Sequence, residues 1–286
     1  MTTAEESSPF ERFGPADPAS PVVIAVPHAG RIYPAALIAA AAVPRRRLEA
    51  LEDRYADALI GSAIRDGVTA FVARRARAWI DLNRDERELD PGMIEGSALP
   101  ARMIGSARVR SGLGLIPRRL AGGGEILRRR LNAAEVDARI RMDHRPWHGA
   151  IASALAAARA RFGIAILLDC HSMPPPARGI PPIVFGDCHG RSAAPWASAE
   201  ALRIARTAGF VAGLNDPFAG GHIVDRHGAP DSGVHALQIE IDRRLYLNER
   251  LDAPGRGFDA IAALIEALAV GLGDALLDRQ LATAAE

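Results

Sequence analysis

Short apolar runs alternate with longer amphipathic stretches along the chain. Apolar runs that end in turn residues predict a strand with its exit loop at 21–30 and further strands at 68–74, 78–84, 164–172, 181–187 and 234–247. Apolar residues spaced by three and four predict helices at 45–66, 125–162, 193–207 and 257–281, the second broken near Pro146. Strands separated by helices indicate an α/β fold, a three-layer sandwich around a mixed, largely parallel sheet.

The segments between these elements are polar or rich in glycine and proline. Residues 1–20 read as a polar arm, residues 90–124 as an excursion or lid, and residues 217–228 as a loop of glycine and histidine. Neither a repeat nor a strong linker interrupts the rest. We therefore expect one catalytic domain over residues 21–286.

Composition narrows the class of protein. Hydrophobic residues make up 49% of the 286, enough for a sizeable core, and the net charge of +1 gives no reason to expect nucleic acid or a membrane as partner. Two cysteines are too few for a disulfide framework, and the polar N-terminus carries no apolar signal core. The apolar runs, such as 35–43, predict no membrane span. These features favour a cytoplasmic location.

Two histidines follow predicted strands, where ligands of such sheets bind. His28 comes after the first strand, and His171 is the next-to-last residue of the strand of residues 164–172. Either alone could be a hydrogen-bonding loop residue, but zinc prefers imidazole and carboxylate ligands, so the pair indicates a metal site. Asp169 shares the side of His171 by alternation. It could orient that imidazole or cap the following turn.

A third zinc ligand is expected to be a carboxylate from the predicted helix 45–66. Glu52, Asp53 and Asp57 are the candidates, and the last two stand at i and i+4 on one face. Each could equally be solvated or paired within the helix. The choice among them stays open on this pattern.

Arg77, Asn83 and Arg84 indicate an anion-binding group. Arginine offers a bidentate fork to a carboxylate, and asparagine adds donors without charge. The alternative is ion pairing with the neighbouring acids of residues 85–88.

Glu240 lies between two apolar residues of the last predicted strand. It could be the general base for a metal-bound water, or one polar position of an edge strand. Cys170 falls on the opposite face from Asp169 and His171, which disfavours a cysteine–histidine nucleophile.

An ordered set of motifs resembles the N-formylglutamate amidohydrolases from about residue 21 to 250. The motifs are VPHAG, RAWIDLNR, LLDCHSMP, IVFGD, DPFAGGHIVDRHG and ALQIEIDRRLYL. That family is similar to zinc-dependent carboxypeptidases and aspartoacylase. The resemblance implies a phosphorylase/hydrolase-like, zinc exopeptidase-like fold, one zinc ion and a small N-acyl amino acid substrate. It also implies a part in histidine degradation.

The resemblance assigns roles to the residues around the reaction. Glu240 would be the general base, and Arg77 would polarise the scissile carbonyl. Asn83 and Arg84 would hold the substrate carboxylate. The expected reaction is hydrolysis of the formamide of N-formyl-L-glutamate to formate and glutamate.

The implied zinc ligands depart from the peptidase pattern at one position. His28 and His171 match the two imidazoles, but the peptidases carry a glutamate ligand three residues after the first histidine. Here that position is Arg31, which cannot bind zinc. We therefore expect Asp53 as the carboxylate, with the two other acids of the predicted helix still open.

Further residues are candidates for the substrate pocket, namely Arg141, His148, Gly221 and His222. Two alternatives to the expected function remain. One is an amidohydrolase of another N-acyl amino acid or a small peptide. The other is a non-catalytic anion-binding protein on the same fold.

Overall fold

The computed structural model describes residues 8–95, 103–120 and 123–284. The chain forms two compact units. The first comprises residues 1–11, 27–52 and 73–149, and the second residues 12–26, 53–72 and 150–286. The expectation of one catalytic domain over 21–286 stays a prediction.

Seven strands form one sheet in the order β1-β3-β2-β4-β7-β5-β6. Their bounds are Phe10–Phe13 (β1), Val22–Val26 (β2), Thr69–Ala73 (β3), Ala165–Met173 (β4), Ile183–Gly186 (β5), Ala212–Leu214 (β6) and Val234–Asp242 (β7). β2 pairs in parallel with β3 and β4, β4 with β7, and β5 with β6, whereas β5 and β7 are antiparallel. The predicted mixed, largely parallel sheet is therefore confirmed. β1 lies in the segment predicted to be a polar arm.

The register of the central strands places the polar candidates side by side. His171 of β4 is the partner of Glu240 of β7, and Asp169 is the partner of Gln238. β7 lies between β4 and β5. The alternative that Glu240 belongs to an edge strand is therefore wrong.

Ten α-helices lie in the described residues. They are Ala35–Ala40 (α1), Arg45–Leu48 (α2), Ala56–Leu59 (α3), Gly61–Arg65 (α4), Ala107–Arg110 (α5), Ala133–Arg139 (α6), Arg145–Phe162 (α7), Pro195–Thr207 (α8), His222–His227 (α9) and Phe258–Ala284 (α10). A π-helical turn, Ile140–His144, joins α6 to α7, so the predicted break at Pro146 is absent. Proline has no N–H to donate, and the wider turn before it accommodates that loss.

The predicted helix 45–66 is wrong as a continuous element. A 3₁₀ turn at Glu49–Leu51 follows α2, and Tyr55 adopts a left-handed conformation with φ 59°. A left-handed residue cannot continue a right-handed helix, so α3 begins only at the next position. Asp53 therefore lies in the irregular segment between the 3₁₀ turn and α3. Its predicted helical spacing to Asp57 does not exist.

The predicted strand 78–84 is also wrong, because these residues form turns. The predicted loop of glycine and histidine contains α9. Residues 96–102, 121 and 122 of the predicted lid lie outside the described residues, so the lid stays a prediction.

α10 is the one helix of the described residues that is long and apolar enough to cross a membrane, over Phe258–Ala282 with mean hydropathy 2.0. One face of it packs against α8, β2 and β4 within the second unit. The buried residues on that face include Ile261, Leu264, Ile265, Leu268, Leu272 and Leu276. This is the packing of a core helix.

Candidate active site

In the first unit, one buried carboxylate, that of Asp81, contacts several of the polar residues that the sequence analysis predicted to be functional. Asp81 is fully buried, and its Oδ1 lies 2.8 Å from Nε2 of His28. Its Oδ2 accepts a hydrogen bond of 2.8 Å from Nε of Arg77 and lies 3.6 Å from Nη2 of Arg84. The main-chain N–H of Asn83 donates to Oδ1 over 2.9 Å. Asp81 thus fixes the orientation of the His28 ring. It also fixes the main chain of the turn that follows Asp81 itself.

The charges around Asp81 keep it ionised. Burial alone would raise the pKa of its carboxyl group, but Arg77, Arg84 and His28 hold that pKa well below its ordinary value. An ionised carboxylate on one ring nitrogen is the usual support of a metal-binding histidine.

The two predicted anion-binding arginines differ in what surrounds them. Arg84 is buried and donates from Nε to the carbonyl of Leu113 and from Nη1 to that of Asn83. Burial lowers its pKa to about 10. The Arg77 side chain is 18% exposed and is the more accessible guanidinium.

Two histidines of the first unit support the turn that carries these residues. His148 of α7 places Nε2 3.1 Å from the carbonyl of Leu82, and His144 places Nε2 2.8 Å from the carbonyl of Arg84. Their rings lie 4.4 Å apart. His148 thus contacts both the main chain of this turn and the ring of His144, and its role in substrate binding stays a prediction.

In the second unit, His171 lies between two carboxylates. Its Nε2 is 2.9 Å from Oδ2 of Asp169, and its Nδ1 is 3.1 Å from Oδ2 of Asp53. All three residues are buried. Burial alone would lower the pKa of His171, but Asp169, Asp53 and Glu240 hold it well above its ordinary value.

Asp53 is fixed by residues that the sequence analysis did not identify. Its Oδ1 accepts hydrogen bonds of 3.1 Å from the hydroxyl of Ser172 and from Nη2 of Arg243. Arg243 follows β7 directly, at the start of a 3₁₀ turn. In the sequence, the one feature that could have indicated Ser172 is its position next to His171. No comparable feature indicated Arg243.

The atoms around His171 suit a zinc ion. Two ligand atoms on a tetrahedral zinc, each at about 2.0–2.1 Å, lie about 3.3 Å apart. The 3.1 Å between Nδ1 of His171 and Oδ2 of Asp53 is close to that spacing. Asp169 contacts the other ring nitrogen of His171. A metal-binding histidine commonly donates that N–H to a carboxylate, which fixes the orientation of the ring. The donor set therefore fits the metal that the sequence implied.

Glu240 is half-buried on β7, beside His171. Its Oε1 accepts a hydrogen bond of 3.0 Å from the side-chain amide of Gln238. A carboxylate that remains partly accessible beside an imidazole can exchange a proton with a bound water.

Cys170 does not take part in this arrangement. It is buried, and its thiol lies 3.9 Å from the carbonyl of Leu168. Burial and the neighbouring Asp169 raise the pKa of the thiol well above its ordinary value, which disfavours the thiolate.

Comparison with known proteins agrees with the motifs. Residues 20–247 match the family of N-formylglutamate amidohydrolases. The chain belongs to this family.

Curated relatives of the amidohydrolase include the N-formylglutamate deformylases of Pseudomonas aeruginosa and Pseudomonas putida. Each is 31% identical over 239 residues, which is 80% of this chain and 83% and 82% of the relatives. The chain is accordingly a hydrolase that acts on an amide.

Solved structures agree on the fold. The N-formylglutamate amidohydrolase of Ralstonia eutropha JMP134 has a TM-score of 0.87 and 32% identity, covering 95% of this chain and 99% of that one. Gene product Atu2144 of Agrobacterium tumefaciens has a TM-score of 0.64 at 18% identity, covering 99% of both chains, and so shows the fold alone. The predicted α/β class is confirmed.

One predicted pocket residue, Arg141, lies on the protein surface. Arg141 is in the π-helical turn with its side chain 60% exposed, and it pairs with Asp137 over 2.8 Å. An arginine that is solvated and paired along its own helix is a surface residue. The expectation that Arg141 binds substrate stays a prediction.

The glycines before α9 adopt two different conformations. Gly220 has φ 124°, and a Cβ there would lie 2.8 Å from Val224 and 2.9 Å from Sγ of Cys188. Gly221 is extended, with φ −109°, and precedes the half-buried His222. Roles for Gly221 and His222 in substrate binding stay predictions.

Proposed function

We propose that this amidohydrolase cleaves the formamide of N-formyl-L-glutamate to give formate and glutamate. The names of the two Pseudomonas relatives supply the substrate. The observation that carries the proposal is the pairing of Glu240 with His171 across the central strands, with Asp53 at Nδ1 of the imidazole. A base beside a metal-binding imidazole and carboxylate is an arrangement that suits hydrolysis of an amide by a metal-activated water.

We also propose that His28, Asp53 and His171 bind one zinc ion. His28 lies two residues beyond β2, the parallel neighbour of the strand that carries His171. The three residues are buried, and each offers one ligand atom. When bound, zinc would lower the pKa of its water toward about 7 and polarise the substrate carbonyl.

Each of the other site residues has a separate role in the proposed reaction. Glu240 accepts a proton from the attacking water and returns it to the leaving amine, since a half-buried carboxylate can hold a proton in transit. Arg77 donates to the carbonyl oxygen as negative charge develops on it. Asn83 and Arg84 take the substrate carboxylate. His148 supports the main chain beside them.

The small acyl group sets a simple condition on the substrate. A formyl group has no carbon beyond the carbonyl, so a larger acyl group is expected to be rejected by size. Cytoplasmic location remains an expectation from the composition, and a part in histidine degradation remains an expectation of the family resemblance.

Glu240→Gln tests the proposal, because the amide keeps the shape of the side chain but cannot accept the proton. Release of formate from N-formyl-L-glutamate is expected to fall by ~10²–10⁴-fold with zinc content unchanged. Glu249→Gln, at an exposed carboxylate, is the matched control and is expected to keep full turnover. Near-wild-type turnover by Glu240→Gln would remove it as the base. A zinc-loaded wild type without activity would point to another N-acyl amino acid.

A further inference from the structure

Asp53 is a proposed metal ligand that no regular element holds in place. It lies between a 3₁₀ turn and α3, beside the left-handed Tyr55, yet only 1% of its surface is exposed. A ligand on a helix or strand inherits its direction from the backbone ladder. In this segment, side-chain contacts must fix the direction instead.

A closed triangle of hydrogen bonds supplies that direction. Ser172 donates its hydroxyl to Oδ1 of Asp53 over 3.1 Å, and Nη2 of Arg243 donates to the same oxygen over 3.1 Å. Nε of Arg243 donates to the Ser172 hydroxyl over 3.1 Å. The guanidinium of Arg243 thus donates hydrogen bonds to both Ser172 and Asp53. The Arg243 side chain is only 13% exposed.

The triangle makes the two oxygens of Asp53 unequal. A carboxylate oxygen has about two lone-pair sites, and both sites of Oδ1 are occupied by these donors. Oδ2 is the oxygen that lies 3.1 Å from Nδ1 of His171. Oδ2 is therefore the better placed to bind a metal, and Oδ1 is the poorer ligand.

We propose that Arg243 and Ser172 are positioning residues that keep Asp53 a one-oxygen ligand of the metal. This inference rests on the proposed zinc site. A catalytic zinc has three protein ligands and one position for water. A carboxylate free to turn would offer its second oxygen to the metal and compete with that water.

The side chain of arginine suits this task better than that of lysine. Its planar fork holds two donors at a fixed spacing, whereas an ammonium group on a flexible stem does not.

The next residue, Arg244, differs from Arg243 in its surroundings. It pairs with Asp242 over 2.7 Å and its side chain is 59% exposed.

The experiment compares Arg243→Ala, Ser172→Ala and the control Arg244→Ala. Zinc affinity is measured by competition with a chromophoric chelator, and coordination is measured from the visible absorption of the cobalt(II)-substituted protein. Arg243→Ala is expected to weaken zinc binding by about 10–100-fold, the usual effect of losing an outer-sphere partner. Its cobalt absorption is expected to lose intensity, because five-coordinate cobalt absorbs more weakly than four-coordinate cobalt. Ser172→Ala is expected to change both in the same direction.

Each outcome decides the inference. Unchanged or tighter zinc binding with an unchanged cobalt spectrum in Arg243→Ala would overturn it, as would equal effects in Arg244→Ala. Should Arg243→Ala fail to fold, Ser172→Ala removes a single hydroxyl and gives the same test. A wild type that binds neither metal overturns the zinc site together with this inference. A wild type that binds zinc and turns over substrate, with silent Ser172 and Arg243 variants, refutes the positioning role alone.

Discussion

Replacement of Asp81 by asparagine tests whether this carboxylate organises the first unit. Asp81 accepts charge-assisted bonds of 2.8 Å from Arg77 and, when the ring is protonated on Nε2, of 2.8 Å from His28. An asparagine keeps the shape but removes the charge, and its NH₂ group faces at least one of these donors. The variant leaves buried donors without their acceptor.

The magnitude follows from those contacts. Hydrogen bonds to a charged group contribute about 1.5–3 kcal/mol each, and breaking a buried pair costs about 3–5 kcal/mol. We take about 3–5 kcal/mol for Asp81→Asn. At ~2 °C per kcal/mol for a chain of this size, the midpoint of thermal unfolding is expected to fall by about 6–10 °C.

The chain contains a matched control. Asp137 pairs with Arg141 at the same sequence separation of four and the same 2.8 Å, but the two side chains are 57% and 60% exposed. An exposed pair of this kind contributes about 0.3–0.5 kcal/mol. The assay is thermal unfolding followed by circular dichroism, with chelator present so that metal affinity does not enter. If Asp81→Asn lowers the midpoint no more than Asp137→Asn does, the reasoning is refuted.

Three further predictions concern the metal, the substrate and acid. His28→Ala and His171→Ala are each expected to lose stoichiometric zinc, as measured by elemental analysis. The control His189→Ala, at an exposed position, is expected to keep it. Stoichiometric zinc in both His28→Ala and His171→Ala would rule out these two residues as ligands. Arg84→Ala is expected to lower kcat/KM on a free-acid substrate by about tenfold to a hundredfold, from about 1.5–3 kcal/mol, and to matter less on the corresponding amide; equal losses contradict the binding role. Because the folded pKa of Asp81 is depressed, its stabilisation is full above the unfolded pKa of ~3.9 and is lost as pH falls toward the folded pKa. The stability gap between wild type and Asp81→Asn is therefore expected to be full at pH 7 and to shrink below about pH 4, and a gap that stays constant from pH 7 to pH 3 would argue against this.

The sequence predicted the parts of the site that adjoin strands. His171 and Glu240 could be found because apolar runs identify β4 and β7. Asp53 was chosen for its charge, and the helix that justified its spacing does not exist. An amphipathic pattern continues through a left-handed residue such as Tyr55, so the pattern alone does not show where the helix breaks.

The supporting residues could not be predicted for a different reason. Arg243 and Asp53 are separated by 190 positions, and only the completed fold brings them together. Arg243 and Arg244 are adjacent and chemically identical, yet one is 13% and the other 59% exposed. Asp81 stands within the motif RAWIDLNR, but its contacts depend on a turn where a strand was predicted.

The register of β4 and β7 has a consequence for how such enzymes can diversify. Glu240 and His171 are direct partners on neighbouring parallel strands, whose axes lie ~4.8 Å apart. Their separation is set by main-chain hydrogen bonds, which do not depend on the identity of nearby side chains. The spacing between the proposed base and the proposed zinc ligand is therefore expected to stay unchanged when residues of a loop such as 76–84, which carries the proposed substrate-binding residues, are exchanged. On the proposed roles, we expect substrate range and proton transfer to be separable targets for protein engineering.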